Sequence, residues 1–182
     1  MITNKIGLHA GYFAGTELEK DLFEMLRVTA EAGCQAIELM PGCFLGMTMA
    51  QKQEVRRALE HLAVSNAIRC ASDQALARLG ELLAAIADCD SPAQAAEAAW
   101  VFQHELALAS GNSILPLIYS SFKPPVITLW IRFCKLYGIG ALCRNTEKLY
   151  NYLCARDQEG AARWIDEYLG RAISGSQQIY SE

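Results

Sequence analysis

Histidine is scarce in this sequence, and paired cysteine motifs are absent. Only His9, His61 and His104 occur, and the seven cysteines form no C-x-x-C pair. Nucleophilic catalysis needs a Ser or Cys beside a base such as His. His9 sits in a glycine-rich N-terminal stretch and His61 in a polar turn of a helix, so no triad is expected. Gly7, Gly11 and Gly15 lack the strand–turn–helix context of a dinucleotide loop. Basic runs are also missing. The 16 Lys and Arg are scattered against 20 acidic residues, the net charge is -4, and Arg56-Arg57 is the densest pair. DNA binding by this chain alone is therefore not expected. The longest apolar run, Leu82 to Ile86, is far too short to cross a bilayer. No basic segment followed by an apolar run marks a signal peptide. A cytoplasmic location follows as the expectation, with an odd set of reduced thiols acting as small core hydrophobes.

What is present is helix-forming and apolar. Hydrophobic residues make up 52% of the 182 positions and charged residues 20%, a globular composition with length for one core. Ala and Leu dominate, and β-branched residues are few, which favours helices. Residues 1–16 read as an irregular or briefly extended segment. Thr16 is placed to cap a helix that Gly33 ends. Residues 35–46 hold the short apolar piece Ile37-Glu38-Leu39-Met40, interrupted by Pro41-Gly42. Thr48 is placed to cap a long helix to about Ile68, and Ser72 a second with a stripe of Leu76, Leu79, Leu82, Leu83 and Ile86. Ser91-Pro92 opens another that Gly111 stops near Ser110. A fifth runs from about Asn112 to Tyr137, where Pro124-Pro125 should break or kink it. Helices at about 142–155 and 157–173 close the series. The fold class is all-α, an antiparallel bundle of six to seven helices over residues 17–175, with a loose tail at 176–182.

Three segments carry a family resemblance. Glu54-Val55-Arg56-Arg57-Ala58-Leu59-Glu60 resembles an E-x-R-x-x-L-E opening. Phe102-Gln103-His104 through Ala109-Ser110-Gly111-Asn112 resembles F-H-x-x-L-A-x-A-S-G-N. Leu153-Cys154-Ala155-Arg156-Asp157 through Ala162 resembles A-L-x-A-R-D-x-E-A-A. Their order and spacing are similar to those of the helical effector-binding (FCD) domain in the FadR branch of GntR-type bacterial regulators. The resemblance spans roughly residues 50–175. It implies a FadR C-terminal-like bundle that dimerises and binds a small-molecule effector.

Many members of that family hold a divalent metal with one Asp and three His, the first pair spaced D-x-x-F-H. Aligning on Ser110-Gly111-Asn112 puts Ala99 and Gln103 at the first two positions. Aligning on Arg156-Asp157 puts Thr146 and Tyr168 at the others. His104 points about a hundred degrees away around its helix. Such a metal needs several converging N, S or carboxylate ligands, so no metal or other cofactor is expected. This loss, with Phe122-Lys123 beyond the A-S-G-N segment, resembles the acyl-CoA-responsive members. The implied partner is an acyl-CoA or carboxylate effector.

The candidate ligand-binding residues are Arg56, Gln103, Thr146, Tyr168, Trp130 and Tyr119. Gln103, Thr146 and Tyr168 inherit pocket-facing positions from the alignment. Arg56 needs an anion, either a ligand carboxylate or Glu60 four residues on, in a plain helix pair. Trp130 and Tyr119 serve either a ligand or the core, and Asn112 caps the helix after Gly111. The family places a winged helix-turn-helix before the effector domain, and none is patterned in the first fifty or so residues. The function expected is that of an effector-binding, homodimerising regulator domain without enzymatic activity. A headless module that heterodimerises with a full-length regulator is the alternative. An enzyme finds no catalytic constellation. The stretches Ile6 to Phe13 and Gly33 to Leu39 faintly resemble the first strand, helix and second strand of a sugar-isomerase-like barrel, but no later strands follow.

Overall fold

The computed structural model describes residues 7–9, 24, 28, 31, 36–38, 49–174, 176, 177 and 179. The chain divides into two compact units, Met1–Val55 and Arg56–Glu182. In the first, β1 (Gly7–His9) pairs in parallel with β2 (Ala36–Glu38), Leu8 opposite Ile37. Glu24, Val28 and Glu31, between them in sequence, are helical. A parallel pair needs such a crossover. This differs from the division drawn from sequence, which placed 36–38 inside the helical domain. The Thr16 and Thr48 caps and the Gly33 stop lie outside the described residues.

The rest is all-α. Seven helices follow among the described residues: α1 (Met49–Cys70), α2 (Asp73–Ala87), α3 (Pro92–Ala109), α4 (Leu115–Ser121), α5 (Lys123–Tyr137), α6 (Ile139–Cys154) and α7 (Gln158–Ser174). Their ends obey local chemistry. Ser72 Oγ accepts from Ala75 N, and Ser91 Oγ from Gln94 N with Pro92 in the first turn. Pro124-Pro125 open α5, so the fifth expected helix is two, split at Phe122. No described helix is by itself long and apolar enough to cross a membrane.

Helix α3 is the axis of the bundle. It touches α2, α4, α5 and α6. Its buried residues include Ala95, Ala96, Ala99 and Ala107, whose small side chains let neighbours approach on several sides, while Phe102 and Leu106 fill the space between them. The Ala-Ser-Gly-Asn segment ends it. Ser110 Oγ donates to Ala107 O and accepts from Asn112 N. Gly111 takes φ +69°, a left-handed value that glycine adopts without strain, and an added Cβ would lie 3.8 Å from Cys70 Cβ. Asn112 Oδ1 then accepts from Ile114 N and Leu115 N at the start of α4.

The α6–α7 turn ties the far ends of the chain together. Arg156, at φ 55°, donates from Nη1 to Ala67 O and Ile68 O and from Nη2 to Ala71 O, at 2.7–3.1 Å. These are terminal carbonyls of α1, where a cation also meets the negative end of the helix dipole. Asp157 Oδ1 accepts from Gly160 N and caps α7. The tail expected to be loose is held where it is described: Gln177 N donates to Arg171 O and Ile179 N to Ala172 O, and the Ile179 side chain is buried.

Replacing Arg156 with Ala should cost about 2 kcal/mol by loss of charge-assisted hydrogen bonds to carbonyls. Melting followed by circular dichroism should fall by about 4–8 °C, with Arg156→Lys intermediate. Among the thiols, Cys134 is buried and burial raises its pKa from 9.0 to about 11. Only about one Cys134 in a thousand is then thiolate at pH 8, so alkylation there should be slow and rise about tenfold per pH unit. Exposed Cys70 and Cys154 should label first, which peptide mass mapping reads directly.

Candidate functional site

Four polar or charged residues are buried among the described ones: Glu60, Gln103, Ser110 and Thr146. Ser110 and Thr146 satisfy their hydroxyls on their own helices, Thr146 Oγ1 donating to Leu142 O at 3.0 Å. Glu60 is half satisfied. Its Oε1 takes Arg56 Nε at 2.8 Å, and its Oε2 has no partner. Gln103 Oε1 and Tyr119 OH are also buried without a partner. A buried polar atom left unmet costs about 1–3 kcal/mol, so their clustering needs a cause.

All three face one cavity. It is lined by Glu60, Gln103, Tyr119, Trp100, Phe122 and Trp130 together with Arg56, Leu59 and Val126, from α1, α3, α4 and α5. A second cavity opens on the other side of Arg56, Gln103 and Trp130. Asn145, Thr146, Tyr168 and Ile179 line it with apolar Phe133, Leu142 and Leu149. Each holds about 40 Å³. The partition between them is a stacked group: the Arg56 guanidinium lies 5.8 Å from the Trp130 ring centre, with Gln103 lining both sides. Burial first, then the Glu60 charge, push the Tyr119 phenol well above its ordinary pKa, and the Arg56 charge opposes them. Tyr119 is thus a neutral hydroxyl that donates as well as accepts.

The structure brings Arg56, Gln103, Thr146, Tyr168, Trp130 and Tyr119 to these two adjoining cavities. The Arg56–Glu60 helix pair forms, and Arg56 lines both cavities as well. His104 stacks on Trp100 with centroids 5.0 Å apart. Glu60, Asn145, Trp100 and Phe122 are lining residues that sequence reasoning did not single out as such. For Glu60 a signal existed in its spacing from Arg56. Asn145 had none beyond its place next to Thr146.

The donor chemistry does not fit a divalent metal. Ala99 offers no donor, Gln103 and Tyr168 offer neutral oxygens, and the Thr146 hydroxyl is bonded to its own helix. No group of three or more His, Cys, Asp or Glu among the described residues is placed to hold one. What the arrangement does offer is a cation shared by a carboxylate and an aromatic face, ringed by unmet acceptors and one phenol.

Comparison with known proteins agrees with this architecture. A solved structure, Escherichia coli McbR/YncC, superposes with a TM-score of 0.53 at 20% identity, over 69% of this chain and 66% of that one, a likeness of fold. The chain therefore spans just under two thirds of that protein's length. No curated protein sequence matches it. The family model described as the FCD domain matches residues 53–171. That match covers most of the seven-helix bundle and all three sequence motifs, and the chain belongs to the FCD domain family of GntR-type regulators.

Proposed function

We propose that this domain binds a small-molecule effector in the paired cavities around Gln103, without a metal, and that it does so as a cytoplasmic homodimer controlling a transcription regulator. The observation that carries the reading is the Gln103 amide. It is buried, its Oε1 has no partner, and it lines both cavities. A core glutamine serving structure alone would have its bonds made.

The unmet atoms also bear on ligand class. Glu60 Oε2 and Gln103 Oε1 accept hydrogen bonds, so the effector presents hydroxyl or N–H donors. The Arg56 guanidinium supplies a cation for a carboxylate. A small hydroxy or amide-bearing organic acid combines both. Two cavities of about 40 Å³ each suit it better than a fatty acyl thioester. Binding would replace the strained, unpartnered state of α1, α3 and α4 with a bonded one. That is a differential interaction of the kind that shifts a two-state equilibrium. For the dimer, support comes from large apolar side chains left exposed near the α3–α4 junction: Leu108, Ile114 and Leu117, the last at 68%.

Native mass spectrometry of the purified chain tests the reading. A mass near twice 20.0 kDa with a bound organic acid and no metal is expected. A stoichiometric divalent metal, or an empty dimer unchanged by a panel of hydroxy acids, would sink it. Gln103→Leu gives a sharper outcome. Removing an unmet amide should raise the melting temperature of the ligand-free protein by up to about 4 °C and abolish the ligand-induced rise. A lowered melting temperature would make Gln103 a structural residue. Leu117→Glu should convert the dimer to a monomer in light-scattering chromatography.

A further inference from the structure

A basic groove lies between α6 and α7, outside both cavities. Ala141, Arg144, Asn145 and Lys148 of α6 form one wall, and Trp164 and Arg171 of α7 the other, with Ser176 and Gln177 beyond. Its volume is about 380 Å³, inside the range of about 300–1,000 Å³ usual for small-molecule sites. Trp164 organises it. The ring is buried, and its Nε1 donates to Asn145 O at 3.1 Å, fixing α7 to α6. Lys148 Nζ sits 3.9 Å from the ring centroid and the Arg171 guanidinium 4.8 Å. One aromatic ring thus carries two cations, and Arg144 lines the same groove.

Among the described residues, no carboxylate lines this groove. The neighbouring acid, Glu167, is committed to Arg171 Nη1 at 2.8 Å. Arg171 Nη2 reaches Asn145 Oδ1 at 3.5 Å, and Arg171 Nε is buried with no hydrogen-bond partner. Three cations thus line one groove, and Glu167 is bonded to one of them. The unmet Arg171 Nε, with Arg144 and Lys148, supplies charged donors from two helices, which suit an oxyanion. The groove is much larger than a bare phosphate, and Asn145, Ser176 and Gln177 add uncharged polar groups to its lining beside Ala141 and Trp164.

We propose that this groove is a second small-molecule site, which takes the phosphate monoester of a small polar metabolite. Arg144, Lys148 and Arg171 Nε hold the phosphate, while Asn145 and Gln177 meet the hydroxylated remainder. Asn145 also lines the central cavity, so the two sites share a wall. The proposal does not rest on the effector reading above, because none of its charged residues belongs to that site.

Titration calorimetry of the full chain decides it, with glucose 6-phosphate, glycerol 3-phosphate, inorganic phosphate and glucose as probes at fixed chloride ionic strength. A phosphate ester should bind saturably at one per chain, more tightly than inorganic phosphate, with glucose silent. The double variant Arg144→Gln with Lys148→Gln should weaken it by about tenfold or more with an unchanged circular dichroism spectrum, and Gln103→Leu should leave it intact. Equal binding to the double variant, or no saturation by either ester to about 10 mM, overturns the proposal. Inorganic phosphate binding as tightly as the esters overturns the assignment of an organic ligand. Hydrogen exchange of the unaltered chain decides independently of any variant. Ester-induced protection confined to 141–148 and 164–177 supports the site, and its absence there refutes it.

Discussion

The guanidinium of Arg156 on the end of α1 is the contact on which the bundle's geometry depends. Three carbonyls at the C-terminus of α1 converge on one side chain from the α6–α7 turn, more than eighty residues away in sequence. Helix ends leave carbonyls that need donors, and water is the default donor. Using an arginine instead fixes where α6 ends and α7 begins relative to α1. That matters because the cavities draw Arg56 from α1, Thr146 from α6 and Tyr168 from α7. The same corner holds Gly111, whose left-handed φ of +69° ends α3 beside Cys70 at the end of α1, a conformation glycine takes without strain.

Inside that frame the polar residues divide by whether their bonds are made. Those that terminate or stiffen helices, such as Ser110, Asn112 and Thr146, find partners within a few residues. Glu60 Oε2, Gln103 Oε1 and Tyr119 OH, which line the cavity between α1, α3, α4 and α5, do not. A core assembled only for stability would place apolar groups at Gln103 and Glu60, because a buried ion pair rarely gains over a well-packed apolar pair. Their unmet atoms are a standing cost to the stability of the bundle.

Much of the fold was legible in the sequence, because helix ends are written in local chemistry. Ser72, Ser91-Pro92, Pro124-Pro125, Gly111 and Asn112 each act within a few residues of themselves. The two strands were foreshadowed only by a faint strand–helix–strand resemblance over Ile6 to Phe13 and Gly33 to Leu39, read against a barrel that no later strands complete. Three residues are too few for an alternation to register, and parallel pairing depends on a partner far along the chain. The site was legible only through motif register, which places Gln103, Thr146 and Tyr168 but says nothing of unmet atoms. Burial of Glu60, the groove around Trp164 and the anchoring of Ile179 are products of tertiary packing, and no spacing announces them.

Ile179 closes one cavity from nearly the last residue of the sequence. That wall comes from the short stretch after α7, tied back to it by Gln177 N on Arg171 O and Ile179 N on Ala172 O, and not from the body of a helix. A substitution at Ile179 reshapes the chamber while the caps at Ser72, Ser91 and Asp157 stay in place. The shape of the chamber is therefore set in part by a side chain outside the helices, one that the local chemistry of their caps does not govern.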